Sequence, residues 1–225
     1  MSEAFAPFAD PQAVARYAEA TARLVPGFAS LQRMAAVLLA ERAPANARVL
    51  VLGAGGGLEL KAFADAQPGW TFDGVDPSVE MLALAEQTLG PLRERVHLHE
   101  GYIDIAPDGP FDAAACLLTL HFTDPEERLR TLAELHRRLR PGAPFVAAHH
   151  SFPQNERALW LSRCEAFAVA SGVDPEKAAR GREAVDARLP ILSPEADVEI
   201  MRQAGFSGIT QIYAALTFRG WVATA

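Results

Sequence analysis

Short apolar runs alternate with amphipathic stretches from Arg48 to Ala148, and this alternation sets the class of fold. Arg48–Leu52, Thr71–Val75, Val96–His99, Phe111–Leu118 and Pro144–Ala148 read as strands. Between them, Leu58–Ala66 reads as a helix. So do a stretch opened by Pro77 and Ser78 and running to Leu89, and one capped by Asp124-Pro125 and running to Leu139. Phe111–Leu118 is almost continuously apolar, the pattern of a strand covered on both faces. Strands and helices alternating at this spacing make right-handed βαβ units, hence an α/β fold with a doubly wound, mostly parallel sheet. Sheets of this kind bind ligands outside the carboxyl ends of their strands, near the topological switch point.

The flanks differ. Residues near 10–24 and 28–42 read as two helices separated by Pro26-Gly27, with Ala13, Val14, Tyr17 and Ala18, then Leu31, Met34, Ala35 and Leu38, at helical spacing. From Ser151 to about Arg188 no strand pattern occurs. Two helices are expected there, one with Leu159, Trp160 and Phe167, the other following Asp174-Pro175. Coming directly after the fifth strand, they should form a helical cap over the ligand edge. Ser193-Pro194 opens a last helix ending at Gly205, and Ile209–Ala214 and Thr217–Thr224 read as closing strands. The expected organisation is a single domain over 1–225, with N-terminal helices at 1–44 and a cap insertion at 151–190.

The richest chemistry lies at the end of the first strand. Val49–Leu52 runs into Gly53-Ala54-Gly55-Gly56-Gly57, and a second apolar run, Phe72–Val75, ends in Asp76. A glycine-rich turn lets backbone approach a ligand where a Cβ would collide. An acidic residue at the tip of the next strand can accept hydrogen bonds from a ribose diol. The pair points to a nucleoside-containing cofactor. A dinucleotide fingerprint would require glycine or alanine at position 58, and Leu58 stands there. The spacing favours a loop around a small zwitterion over one cradling a pyrophosphate, which argues against a nicotinamide dehydrogenase.

Composition narrows the partners. Half of the 225 residues are hydrophobic, 22% are charged and the net charge is −7. A surface of that sign does not attract nucleic acid or anionic membrane. Cys116 and Cys164 show no CxxC spacing and are expected to be reduced and structural, with no metal cluster. Met1–Pro7 lacks the basic start and long apolar core of a secretory signal, and no apolar run is long enough to span a bilayer. The expected location is cytoplasmic, the expected partner a small-molecule substrate, and a homodimer is compatible with the sequence.

On the Gly53-x-Gly55-x-Gly57 loop, Val75-Asp76-Pro77-Ser78-x-Glu80-Met81-Leu82, Phe111-Asp112 and Leu139-Arg140-Pro141-Gly142-Ala143, the chain resembles the class I S-adenosylmethionine-dependent methyltransferases. The resemblance implies a seven-stranded Rossmann-like sheet with an antiparallel last strand. S-adenosylmethionine would be the cofactor and S-adenosylhomocysteine the product. It also implies roles: Gly53 and Gly55 near the methionine part, Asp76 on the ribose, Pro77 beside the adenine, and Tyr102 and Ile103 against the adenine ring. Ala54, Gly57 and Leu117 complete the implied cofactor set. Through Val25-Pro26-Gly27-Phe28, Thr119-Leu120-His121-Phe122 and Ala204-Gly205-Phe206…Phe218-Arg219-Gly220 the chain further resembles the carboxy-S-adenosylmethionine synthases. Phe28, Tyr102 and Leu117 stand where that family has tyrosine, aspartate and asparagine, and Val51 replaces the acidic residue usual before the loop. These departures imply a less polar site.

Methyl transfer from a sulfonium is an in-line displacement, which needs a nucleophile held about 3 Å from the methyl carbon and water kept out. A base is needed only where the nucleophile carries a proton. His149 and His150 follow the fifth strand, and one of the two must face the site because neighbours on a strand point opposite ways. His121, after the fourth strand, is the third catalytic candidate. For the substrate, Arg182 offers a planar fork to a carboxylate, Trp160 an aromatic wall, and Tyr17 a reach over the methionine end. The leading expectation is a small-molecule methyltransferase. Modification of the cofactor itself, or cofactor binding without catalysis, are the alternatives.

Overall fold

The computed structural model describes residues 17–225. Ala13 and Val14, expected in the first helix, lie outside the described residues. That helix is described as α1 (Tyr17–Leu24) and is followed by α2 (Phe28–Ala40). The chain then runs β1 (Arg48–Leu52), α3 (Leu58–Ala66), β2 (Thr71–Asp76), α4 (Val79–Leu89), β3 (Val96–Glu100), β4 (Ala113–Leu117), α5 (Pro125–Arg137) and β5 (Pro144–His150). The cap helices α6 (Arg157–Ala170) and α7 (Pro175–Arg188) come next, then α8 (Pro194–Gln203), β6 (Ser207–Ala215) and β7 (Phe218–Thr224). The sheet order is β3-β2-β1-β4-β5-β7-β6. β1 to β5 are parallel, and β7 is antiparallel to both of its neighbours. The doubly wound sheet with an antiparallel last strand is therefore present, and its switch point lies between β1 and β4.

Strand alternation builds one core on each face. Val49, Val51, Val146 and Ala148 face α2 and α3 together with Leu31, Leu39 and Phe63. Leu50, Leu52, Phe145 and Ala147 face α5 and α8 together with Leu132, Leu135 and Met201. β4 and β5 are buried at every position, as strands covered on both faces must be.

Helix starts follow the caps written in the sequence. The side chains of Ser78, Asp124, Asp174 and Ser193 accept hydrogen bonds from the backbone N–H of Met81, Glu127, Lys177 and Ala196. Each such cap contributes about 1 kcal/mol. Several expected boundaries move by one or two residues, three of them for a visible reason. β4 begins at Ala113 because the backbone of Phe111 instead pairs with Arg138 and Arg140. α5 ends at Arg137 for the same reason. β5 runs on to His150 because β7 extends the pairing, with Arg219 opposite His149 and Phe218 opposite His150. The two histidines lie within the strand and do not follow it.

The cap helices pack on each other around Phe152, Leu161 and Ile191, with Trp160 and Val185 against them. Arg157 Nε, 2.6 Å from an Asp186 carboxylate oxygen, ties α6 to α7. No helix among the described residues is long and apolar enough to cross a membrane.

Candidate functional site

A cleft of about 740 Å³ opens at the carboxyl ends of β1, β2 and β4. Gly53, Gly55, Asp76, Pro77, Tyr102, Ile103 and Leu117 of the expected cofactor set line it, and Tyr17 covers it from α1. Met81, Thr119, Phe122 and Arg130 also line it; the first three stand within the motifs of the resemblance but were not expected as site residues, and Arg130 had no signal. Thr119 carries a positional signal as well, its place two residues after β4.

The glycine loop turns its amides inward. The N–H groups of Gly53 and Ala54 donate to the Val75 carbonyl at 2.8 and 3.0 Å, and that of Gly57 donates to the Ala54 carbonyl at 2.9 Å. Gly55 N–H donates to Asp76 Oδ2 at 2.9 Å. These donors are unavailable to an anion, so the loop is no phosphate cradle. Its glycines answer to packing. A Cβ on Gly53 would fall 1.9 Å from Thr119 Oγ1, and one on Gly57 would fall 2.9 Å from the Ala85 Cα. Both residues have positive φ, 76° and 78°. Gly57 and Ala54 do not line the cleft; Gly57 is where α3 meets α4, and Ala54 is fully buried. Both stand behind the loop, away from the cleft lining.

Asp76 is the anchor of the cleft. Its Oδ1 accepts from Ser78 N–H and its Oδ2 from Gly55 N–H, both at 2.9 Å, which fixes the carboxylate and leaves lone pairs toward the cleft. Burial raises its pKa, and these two backbone bonds offset the rise only in part. Behind the loop, Glu59 in the first turn of α3 is 5% exposed. Burial, reinforced by the Asp76 charge against its own backbone hydrogen bond, pushes its pKa up to about 8. Among the described residues, the charged side chains lining the cleft are Asp76, Asp104, Glu127 and Glu134 against Arg130. Even with Glu134 held by Arg137 and Arg138, this lining suits a cationic ligand.

The three candidate histidines part company. His149 points to the α5–α8 face, is 1% exposed, and stands 3.2 Å through Nε2 from Asp197 Oδ1, beside the Trp221 ring. It lines neither cavity, because residue 149 shares its side of the strand with Phe145 and Ala147. That corrects its selection as a catalytic candidate. His150 points the other way and lines a second, smaller cavity beneath the cap. His121 is buried between the two spaces, accepting from the His150 backbone N–H at 3.3 Å through Nδ1. Its burial, followed by the nearby His150 and His149, holds its pKa well below the usual histidine value, so it is neutral.

The substrate candidates also separate. Arg182 lines the cap cavity with its Nε 2.7 Å from a Glu165 carboxylate oxygen. Trp160 lines neither space. Its Nε1 donates to Glu156 at 3.1 Å, and Arg163 and Arg219 lie over its ring. It belongs to the cap's own core, which corrects its selection. Only Tyr17 lies at the cofactor cleft.

Residues 50–145 match the family model described as a methyltransferase domain. The carboxy-S-adenosyl-L-methionine synthase of Chromohalobacter salexigens is 28% identical over 220 residues, covering 95% of this chain and 82% of that protein. Among solved structures, an O-methyltransferase family protein from Burkholderia thailandensis superposes with a TM-score of 0.69 at 16% identity, over 96% of this chain and 61% of that one. Human N-acetylserotonin methyltransferase, in complex with S-adenosylmethionine, gives 0.62 at 15% identity, over 86% of this chain and 51% of that one. The chain spans little more than half the length of these two solved proteins, and at such identities they report the fold. Fold, family model and the synthase likeness agree: residues 50–145 match a methyltransferase domain, the fold is that of the methyltransferase structures, and the chain is similar to the carboxy-S-adenosyl-L-methionine synthases.

Proposed function

We propose that this protein transfers the methyl group of S-adenosylmethionine to a small-molecule acceptor. The observation that carries the reading is the pairing of Asp76 with the glycine loop. The carboxylate is fixed by Gly55 and Ser78 at the floor of a cleft whose lining is net acidic. The residues fit the cofactor: a ribose diol can donate to Asp76, an adenine can lie among Pro77, Tyr102 and Ile103, and a cationic tail meets carbonyls and carboxylates instead of amides. When bound, the cofactor supplies an electrophilic methyl carbon on a positively charged sulfur. The protein's part is to hold, align and dehydrate, since proximity alone can supply a large share of the rate.

Calorimetry with S-adenosylmethionine and S-adenosylhomocysteine tests the reading. Saturable binding is expected, and no binding by either at millimolar concentration would end it.

The synthase likeness over 95% of the chain favours a second reading, in which the cofactor itself is modified. A carboxylated sulfonium needs a cation near its new carboxylate. Arg182, the candidate for that role, lines the cap cavity and is paired with Glu165, and Phe28 is packed with Val25 and Phe218. These observations take Arg182 and Phe28 away from that role and leave Arg130 as the cation lining the cleft among the described residues. Mass spectrometry of ligand carried through purification separates the two by the mass of a carboxyl group.

A further inference from the structure

The cavity beneath the cap has a volume of about 340 Å³. That lies at the small end of the roughly 300–1,000 Å³ range of small-molecule sites. Leu24, Leu161, Ala168, Val185 and Phe218 give it apolar walls. The sheet contributes one polar group to them, the imidazole of His150, which is 9% exposed and stacked on Phe218 with ring centroids 4.0 Å apart.

The hydrogen bonds of His150 define its tautomer. Thr217 donates its hydroxyl proton to Cys164 Sγ at 3.4 Å. The 2.9 Å contact between His150 Nδ1 and Thr217 Oγ1 therefore carries the Nδ1 proton. Nε2 is left as an acceptor with no hydrogen-bond partner among the described residues. Burial, followed by the proximity of His149 and Arg157, lowers the pKa of His150 to about 3, so the ring stays neutral. A buried acceptor facing an apolar space calls for a ligand that donates to it.

Two further features define that ligand. At the rim of the cavity Lys177 has no ion-pair partner among the described residues, while neighbouring Arg182 is held by Glu165. Between this cavity and the cofactor cleft stands Leu118. It lines the cleft and shares an apolar cluster with Phe218 and Cys164, which line the cap cavity. Its φ of 58° is a left-handed conformation that a leucine adopts under strain, and such strain collects at ligand clamps and switch points.

We propose that the cap cavity is a binding site for a small phenolic carboxylate, its hydroxyl donating to His150 Nε2 and its carboxylate paired with Lys177, with Leu118 separating it from the cofactor cleft. The binding site does not depend on the methyl-transfer reading.

The test is calorimetry on the full chain with 4-hydroxybenzoate and 4-hydroxyphenylacetate, alongside benzoate and phenol, with and without S-adenosylhomocysteine. At least one hydroxylated acid is expected to bind about tenfold more tightly than benzoate or phenol. His150→Phe should remove the preference over benzoate, and Lys177→Gln the preference over phenol. Ala168→Trp, which fills the cavity, should abolish binding of the acids while leaving the affinity for S-adenosylhomocysteine unchanged. Ala168→Leu serves if the larger residue prevents folding. Failure of both hydroxylated acids to bind, or binding untouched by the cavity-filling variants, overturns the proposal. If S-adenosylhomocysteine binds and the acids do not, the cap site fails alone. If the acids bind and the nucleoside does not, the methyl-transfer reading fails and the site stands.

Discussion

Arg128 of α5 and Asp197 of α8 form an ion pair sealed in the core, each side chain 1% exposed. Arg128 also donates to the carbonyl oxygens of Thr123 at 3.0 Å and Pro190 at 3.1 Å. One guanidinium thereby joins the segment after β4, the exit from the cap and the last helix. Removing the carboxylate leaves a buried cation uncompensated, which costs about 3–5 kcal/mol. Asp197→Ala is expected to lower the urea midpoint accordingly, and a change below about 1 kcal/mol would show that the pair has no such role.

The same carboxylate gives an acid limit. Burial pushes the Asp197 pKa up, but the charges of His149 and Arg128 and the hydrogen bonds of His149 and Ser151 together outweigh it, and the net value lies below 3.8. A carboxylate depressed in the folded state contributes stability that is fully present above its unfolded value and is lost as pH falls through the folded one. Denaturation midpoints should therefore decline as pH drops below about 3.8, and that part of the decline should vanish in Asp197→Asn.

Glu59 works in the opposite direction. Its folded pKa near 8 exceeds the ordinary 4.5, so the folded protein holds a proton that the unfolded chain has released. Stability should fall as pH rises through that window. Glu59→Gln is expected to flatten the fall between pH 5 and 8, raising the melting temperature at pH 8 by roughly 2–4 °C per kcal/mol recovered. Parallel wild-type and variant profiles would contradict this.

Asp76→Asn tests the cofactor anchor. It keeps the shape of the side chain while removing the charge that a ribose diol would meet, and hydrogen bonds to charged groups contribute about 1.5–3 kcal/mol. A roughly 10- to 100-fold weaker calorimetric affinity for S-adenosylhomocysteine is expected. Unchanged affinity would remove Asp76 from the site.

Gly57→Ala separates packing from binding. The left-handed φ of 78° costs an L-residue about 1–2 kcal/mol, and the new methyl would also press on the Ala85 backbone. Thermal stability should drop by about 2 kcal/mol or more, while the folded protein binds S-adenosylhomocysteine within about threefold of wild type. The reverse outcome, stable protein with lost binding, would return Gly57 to the cofactor set.

These cases show where the sequence was legible. Strand runs and the caps at Ser78, Asp124, Asp174 and Ser193 depend on neighbours within a few positions, so local pattern located them to within two residues. The sides taken by His149 and His150 depend on how far β7 extends the pairing of β5, and no local signal carries that. Arg128 sits in the highly charged stretch Pro125–Arg137, whose pattern reads as a solvated face, yet its partner lies on a helix 69 residues away. Trp160 has the helical spacing of either a pocket wall or a cap core, and only the packing of α6 on α7 decides. The cleft was legible because the glycine loop and Asp76 lie on consecutive strands. The cap cavity assembles from α1, β5, α6, α7 and β7, and had no linear signature.

The inward turn of the amides at Gly53, Ala54, Gly55 and Gly57 bears on selectivity in a cell, where ATP shares the adenosine half of the cofactor. A triphosphate reaching this cleft would find these four loop amides already engaged and carboxylates along the way. The loop thereby screens adenosine compounds by the sign of the tail they carry.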